Sequence, residues 1–457
     1  MIRNFLMVLL ATSPVLGAYY TCVTEANGNT DGVSVTPRSL RHKSSTTAVD
    51  TSTQAQSGEP GGISPDINDK EFYKYRESSV EIPKGVKKIG KEAFADSRAL
   101  KQVTFQAGSR LREIGERAFY GCKNLKGIEL LPGIQFIGER AFYGCKNLKG
   151  IEFPEGVQII GDNAFGGCER LEKVSIPASI QAIGAGAFDG CCQLKSVHIP
   201  KGVQSIGNST FARCLSLKSV DIPASMCEIG EKAFNGCLFL QTINFAPRSR
   251  LATIESWAFA SCALSQIKFS ARVELIGDHA FSSCVNLCNV DFSECKRLKK
   301  IGTAAFGNCR KLKEVVLSAT VQEIGSCAFS GIDGVSITCP QGSLQSLYDN
   351  NGQCNDDVVL DLLTHLFPVS TKAATGVGNE VTLISPRGKT IVCKCVGVNG
   401  SNLQWECSRN GAEPYILQHS PSYEYVHRDA FLGSLLGGSA TQRSTAGLNK
   451  KIGSFRD

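Results

Sequence analysis

The sequence predicts an α/β-type repeat solenoid dominated by short parallel strands, followed by a small C-terminal α+β extension. Three observations predict it. Phenylalanine returns at Phe94, Phe119, Phe142, Phe165, Phe188, Phe211, Phe234, Phe259, Phe281, Phe306 and Phe329, in steps of 22 to 25 residues. Residues 114–129 and 137–152 carry the identical string IGERAFYGCKNLKGIE, which requires tandem duplication. Between the phenylalanines, Leu, Ile and Cys recur at fixed offsets, so every unit presents the same inward pattern.

The elements follow in chain order. Residues 1–18 read as a secretory signal peptide, with Arg3 as the positive n-region, Phe5 to Leu10 as the apolar stretch, and Gly17 or Ala18 at the cleavage position. Residues 19–79 are mostly rich in Ser, Thr, Gly, Asp and Asn, with little apolar clustering. Such a leader cannot bury enough surface to offset ordering entropy, so disorder is expected there. Residues 80–342 hold eleven units. In the unit at 122–145, Leu125, Ile128 and Leu130 are spaced for a short strand facing inward. Pro132 ends that strand because it has no N–H to donate. Ile134 and Ile137 point inward next, Gly138 allows a tight turn, and Ala141, Phe142 and Cys145 fill the interior. No single unit can bury this face alone; stacked neighbours can. Eleven coils at the strand spacing of about 4.8 Å would form a curved rod roughly 50 Å long.

The ends of the array depart from its pattern as capping units should, with Ser97 in the first unit and Ile332 in the last where Cys is expected. Residues 335–352 read as a final strand and cap. Val358, Val359, Leu362, Leu363 and Leu366 fall on helical spacing within 355–366. Val381, Leu383, Ile391, Cys393 and Cys395 alternate as in strands over 380–408. The extension is placed at 343–410, and a polar, disordered tail at 411–457.

Composition excludes several classes. The 457 residues carry 49 Lys and Arg against 42 Asp and Glu, a net charge of +7. That mild excess does not indicate a nucleic-acid binder. At 42% hydrophobic the chain is globular, and it has no apolar run of the roughly 20 residues that a transmembrane helix needs. No G-x-S-x-G, H-E-x-x-H or P-loop pattern occurs, so no enzyme activity, catalytic residue or cofactor is expected. The six His show no ligand spacing with the cysteines, and no metal site is expected.

Twenty cysteines in a secreted chain usually announce disulfides. Nine of them, Cys122, Cys145, Cys168, Cys191, Cys214, Cys237, Cys262, Cys284 and Cys309, instead recur at one place in nine coils. A repeated inward Cys behaves as a small apolar group, so this ladder is read as buried free thiols. Disulfides are expected among Cys354, Cys393, Cys395 and Cys407, outside the array. The natural job of a solenoid is binding through its extended strand face, read here as concave. The exposed row on that face is predicted to be Glu129, Glu152, Ser175, His198, Asp221, Asn244, Lys268 and Asp291. Asn208 and Asn399 open two N-glycosylation sequons.

The pattern I-G-x-x-A-F-x-x-C-x-x-L-x-x-I-x-I-P resembles the BspA-type leucine-rich repeat over about 80–342. That resemblance implies architecture rather than activity. A second resemblance lies in the leader. Arg38-Ser39-Leu40-Arg41, some twenty residues after the signal peptide, resembles the RxLR translocation motif of secreted effectors from oomycete plant pathogens. The E-E-R string of that family does not follow; Asp66, Asp69, Lys70 and Glu71 form a degenerate acidic stretch. The resemblance implies a secreted virulence effector moved into the host cytoplasm or nucleus. There the solenoid would bind host protein and suppress defence or cell death, and the leader would make a weak phosphoinositide contact. The alternative is a secreted or surface-associated leucine-rich repeat adhesin acting outside the cell.

Overall fold

The computed structural model describes residues 66–341, 343, 344, 359, 362, 363, 366, 378–384, 390–399 and 402–417. They fall into two compact units. The first comprises residues up to Val203 with Gly207–Val220 and Gly236–Leu240. The second comprises Gln204–Ile206, Asp221–Asn235 and the chain from Gln241.

In the first unit each coil contributes one strand to each of two ribbons. On one side Ser79–Ile82, Gln102–Phe105 and Gly127–Ile128 pair in parallel, as do Gly150–Glu152, Lys173–Ser175 and Ser196–His198. On the other side two-residue strands pair in parallel from Lys88–Ile89 through Glu113–Ile114, Phe136–Ile137 and Ile159–Ile160 to Ala182–Ile183. The second unit repeats this plan, with a six-stranded ribbon from Ser205–Ile206 to Glu323–Ile324. The dominance of short parallel strands is thus what the structure shows, with turns rather than helices completing each repeat.

The core is a set of ladders. In the first unit Phe94, Phe119, Phe142, Phe165, Phe188 and Phe211 stack in turn, with ring centroids 5.1–5.5 Å apart. In the second, Phe234, Phe259, Phe281, Phe306 and Phe329 do the same at 5.2–5.7 Å. Offset ring pairs of this kind add about 0.5–1.5 kcal/mol each beyond burial. The Ile-Gly dipeptide has a steric cause. A Cβ on Gly138 would lie 2.6 Å from the Glu116 nitrogen and 2.7 Å from the Gly115 carbonyl carbon. At Gly138 only glycine lets the two coils approach so closely.

The structure corrects three boundaries. The array begins at residue 66, not 80, because the end of the supposed disordered leader forms another coil. Ile67 bridges to Ile89 in parallel, the Phe72 nitrogen donates to the Ala93 carbonyl at 2.9 Å, and the Phe72 ring stacks on Phe94 at 5.2 Å. Asp66 accepts from the Lys87 and Lys88 nitrogens at 2.9 and 3.0 Å, and Asp69 accepts from Lys91 at 2.7 Å. Asp66 and Asp69 of the degenerate acidic stretch therefore cap backbone donors of the next coil from within the coil at 66–75. This coil lacks both the Gly and the Ala of the repeat pattern, having Asn68 and Glu71 in their places, which hid it.

The second boundary is the tail. Tyr415–Leu417 forms a strand paired with Trp405–Cys407, so the extension runs past residue 410. The third is the join at residue 342, across which the repeat sheet continues from the array into the extension. Ser336–Cys339 pairs in parallel with Glu380–Leu383; the chain then turns antiparallel through Thr390–Asn399, Asn402–Arg409 and Tyr415–Leu417. Val359, Leu362, Leu363 and Leu366 are helical and fully buried, at the expected spacing. Val358, the signal peptide and Arg38-Ser39-Leu40-Arg41 lie outside the described residues.

Candidate binding face

The longer strands alternate between the core and solvent. Val174 is buried between exposed Lys173 and Ser175, and the neighbouring strands repeat the pattern. All eight residues of the predicted row, Glu129, Glu152, Ser175, His198, Asp221, Asn244, Lys268 and Asp291, are exposed. In the first unit Glu152, Ser175 and His198 are direct register partners on three successive strands. Glu129 stands just past its two-residue strand. In the second unit Lys268 pairs in register with Asp291, and Asn244 Nδ2 donates to Asp221 Oδ1 at 2.8 Å. Within each unit the ladder sets the spacing of these side chains, so each unit carries a fixed row of its own.

A second row, one the sequence reading missed, runs beside the first. Lys101, Lys126, Lys149, Glu172 and Lys195 are joined coil to coil by backbone hydrogen bonds of 2.9–3.3 Å. The four lysines are exposed. Lys195 Nζ lies 2.6 Å from Glu172 Oε2, and this hydrogen bond holds the Glu172 carboxyl below its ordinary range. The recurrent Leu-Lys dipeptides at 125–126, 148–149 and 194–195 are the signal that could have revealed it. The first unit's face thus carries a mainly basic row beside one made of Glu129, Glu152, Ser175 and His198. Gly127 and Gly150 lie between them with no atom near their absent Cβ positions. The surface can recognise a partner with complementary charges of both signs.

The nine ladder cysteines are buried thiols. Each thiol donates back to a phenylalanine carbonyl, as Cys145 does to Phe119 at 3.2 Å and Cys284 to Phe259 at 3.2 Å. Burial pushes the Cys122, Cys237 and Cys284 thiols up to about 12. It also raises Cys145, Cys168, Cys191, Cys214 and Cys309. These groups are packing elements rather than nucleophiles. Of the four cysteines expected to form disulfides, Cys393 and Cys407 pair across adjacent strands and Cys395 is a buried free thiol. Cys354 lies outside the described residues.

Asn208 is exposed, while Thr210 of its sequon is buried and donates to the Gly207 carbonyl at 2.9 Å. Asn399 ends its strand opposite Asn402. Among the described residues no group of three or more His, Cys, Asp or Glu could hold a metal ion. No helix among them is long and apolar enough to cross a membrane.

Residues 65–192, 158–288 and 239–351 match the family model of the BspA type leucine rich repeat region, in 6 copies. No curated protein matches the chain. Among solved structures it is similar to a leucine-rich repeat protein from Bacteroides ovatus, at 29% identity over 58% of this chain and 79% of that one, with a TM-score of 0.39. A T. pallidum leucine rich repeat protein is 33% identical over 36% of this chain and 78% of that one, with a TM-score of 0.33. A leucine rich cell surface protein from Faecalibacterium prausnitzii is 25% identical over 57% of this chain and 78% of that one, with a TM-score of 0.32. Superpositions this partial carry no argument about function. The family matches together run from residue 65 to residue 351 of 457, and they coincide with the stacked coils and their ladders. The chain belongs to the BspA type leucine-rich repeat family.

Proposed function

We propose that this is a secreted or surface-associated adhesin that binds another protein outside the cell through its strand face. The observation that carries this reading is the exposed row that the coil register sets within each unit, Glu152, Ser175 and His198 in the first and Lys268 and Asp291 in the second. Strands hold such side chains more rigidly than loops do, and a repeated register presents them over a long surface. Two features support an extracellular place of work: the signal-like residues 1–18 and the Cys393–Cys407 disulfide, a bond that persists in oxidising compartments. N-glycosylation at the exposed Asn208 belongs to the same reading.

The second reading is a translocated effector that binds host protein inside the cell and dampens defence or cell death. It rests on Arg38, Ser39, Leu40 and Arg41, placed after the signal peptide and before the first coil at residue 66. A weak phosphoinositide contact through Arg38, Arg41 and Lys43 of the leader belongs to this reading alone.

One experiment tests both. The labelled full chain is added to intact host cells, beside a variant carrying Glu152→Lys, His198→Glu and Lys268→Glu. The adhesin reading expects surface binding that the variant loses by about ten-fold or more, since several rim and face charges are reversed at once. Equal binding by both chains would remove the strand face as the site. Protein recovered inside the cells, with uptake lost on replacing Arg38, Leu40 and Arg41 by Ala, would establish the effector reading instead.

A further inference from the structure

The turns that follow the longer strands in the second unit carry a row of arginines distinct from the strand face. Arg250, Arg272 and Arg297 each stand two residues before Ala252, Glu274 and Lys299. Those three residues are joined in successive coils: the Glu274 nitrogen donates to Ala252 O at 2.8 Å, and the Lys299 nitrogen to Glu274 O at 2.9 Å. The arginines therefore occupy one place in three consecutive coils, at a backbone spacing of about 4.8 Å. Arg248, Lys296 and Lys299 flank them, and all six basic residues are exposed. Two carboxylates stand among them. Glu274 lies 3.3 Å from Arg297, and Glu294 sits on the turn before Lys296. At the end of the row Glu274, Lys296, Arg297, Lys299, Thr320 and Gln322 line an open cleft of about 500 Å³.

Like charges stacked in register repel one another, and a surface that served only solubility would alternate their signs. In the first unit's lysine row Glu129 and Glu152 stand three residues after Lys126 and Lys149, whereas in the arginine row the ion pair among the described residues is Arg297 with Glu274. Its residues are also of the type whose planar fork matches an oxyanion with two parallel hydrogen bonds.

We propose that this ridge binds a linear sulfated polysaccharide, laid along the stack of coils with its sulfates on Arg250, Arg272 and Arg297. A row one residue wide suits a chain with anions at regular intervals better than it suits a flat bilayer. Among the described residues, none of the large apolar side chains left exposed lies on these turns. A membrane surface would need such side chains for insertion, and a single-stranded nucleic acid would need aromatics for stacking. The choice of a sulfated glycan over an intracellular polyanion rests on the secreted reading above. The ridge and the strand face share no residue, so either can fail while the other stands.

The test is binding of heparin to the full chain, measured by calorimetry over a salt series. Wild type should bind, with affinity falling steeply as salt rises. The variant Arg250→Ser, Arg272→Ser, Arg297→Ser should bind about ten-fold more weakly or worse. The variant Lys101→Ser, Lys126→Ser, Lys149→Ser, with the same change in net charge, should bind as wild type does. Equal loss in both variants would reduce the effect to overall charge and overturn the site. Equal binding of chemically desulfated heparin, or preference for duplex DNA, polyglutamate or phosphatidylserine vesicles, would overturn the ligand class. If the triple serine variant loses its circular dichroism signal, the single change Arg272→Glu must show the loss. Unchanged heparin affinity in that variant also sinks the proposal. Reversal of Glu152, His198 and Lys268 should leave heparin binding intact, which separates this site from the strand face.

Discussion

A cysteine at one repeat position is a statement about burial before it is one about redox chemistry. Each ladder thiol replaces a contact with water by a weak bond to a phenylalanine carbonyl, as Cys145 does at 3.2 Å to Phe119. Burial raises the thiol pKa above the ordinary 9.0, to about 12 for Cys122, Cys237 and Cys284. Below pH 9 both folded and unfolded chains keep these protons, so the thiols contribute no pH dependence. Above it the unfolded chain releases protons that the folded chain retains, and stability falls as pH rises toward the folded values. Each thiol adds about 1.4 kcal/mol per pH unit in that window. The melting temperature should therefore drop between pH 9 and pH 11, more gently in the Cys145→Ala, Cys168→Ala variant. A melting temperature that stays flat over that range would show that the thiols are not buried. Thiol reagents should label Cys227 and Cys288 first, because these are the exposed free cysteines among the described residues.

At the scale of one coil, two kinds of glycine were indistinguishable by type alone. Gly138 sits where a Cβ would meet the neighbouring backbone at 2.6 Å, whereas Gly108 has φ +75° with nothing within 4 Å. Gly138→Ala must push two coils apart and should cost about 2 kcal/mol or more. Gly108→Ala pays only for the left-handed backbone, about 1 kcal/mol. Denaturant midpoints of the two variants rank these costs, and equal values would reject the close-approach account. The coil at 66–75 makes a further prediction. Phe72 stacks on Phe94 at 5.2 Å and Tyr75 meets the same ring edge-on at 5.9 Å. Phe72→Ala should destabilise the array by about 2–4 kcal/mol, somewhat below a fully buried Phe because Phe72 is only partly buried. A melting curve matching wild type would return residues 66–75 to the leader. This coil was illegible because its Phe is preceded by Glu71, not Ala, and no Cys follows it.

At the scale of the molecule, a stack of coils must end without leaving its last ladder open. The C-terminal hairpins do this by extending the sheet from Ser336–Cys339, and Asn379 holds the junction. Its side chain is fully buried, accepting from the Val335 nitrogen at 3.0 Å and donating to the Ile332 carbonyl at 3.2 Å. Asn379→Ala leaves a buried donor and a buried acceptor unmet, and should cost about 1–3 kcal/mol for each group. Hydrogen exchange at Val335 should rise with it; protection equal to wild type would mean that the junction is held by other contacts.

The repeat was legible because its period is written in residues that cannot be exchanged cheaply. Phe, Cys and the Ile-Gly pair each face the same residue type in the next coil, so one unit's packing solution recurs down the chain. The exposed row followed from strand alternation, which has a period of two whatever the partner. What the sequence did not disclose depends on neighbours distant along the chain. Asn68 and Asp69 act as a coil only because Gly90 and Lys91 lie against them. The arginine column, which no recurrent dipeptide marks, exists only once the ladder superimposes residues 22 and 25 apart. Strand pairing, which sequence spacing cannot record for single surface residues, converts scattered charges into rows. The tertiary structure alone therefore decided which charges stand together on this protein's surface.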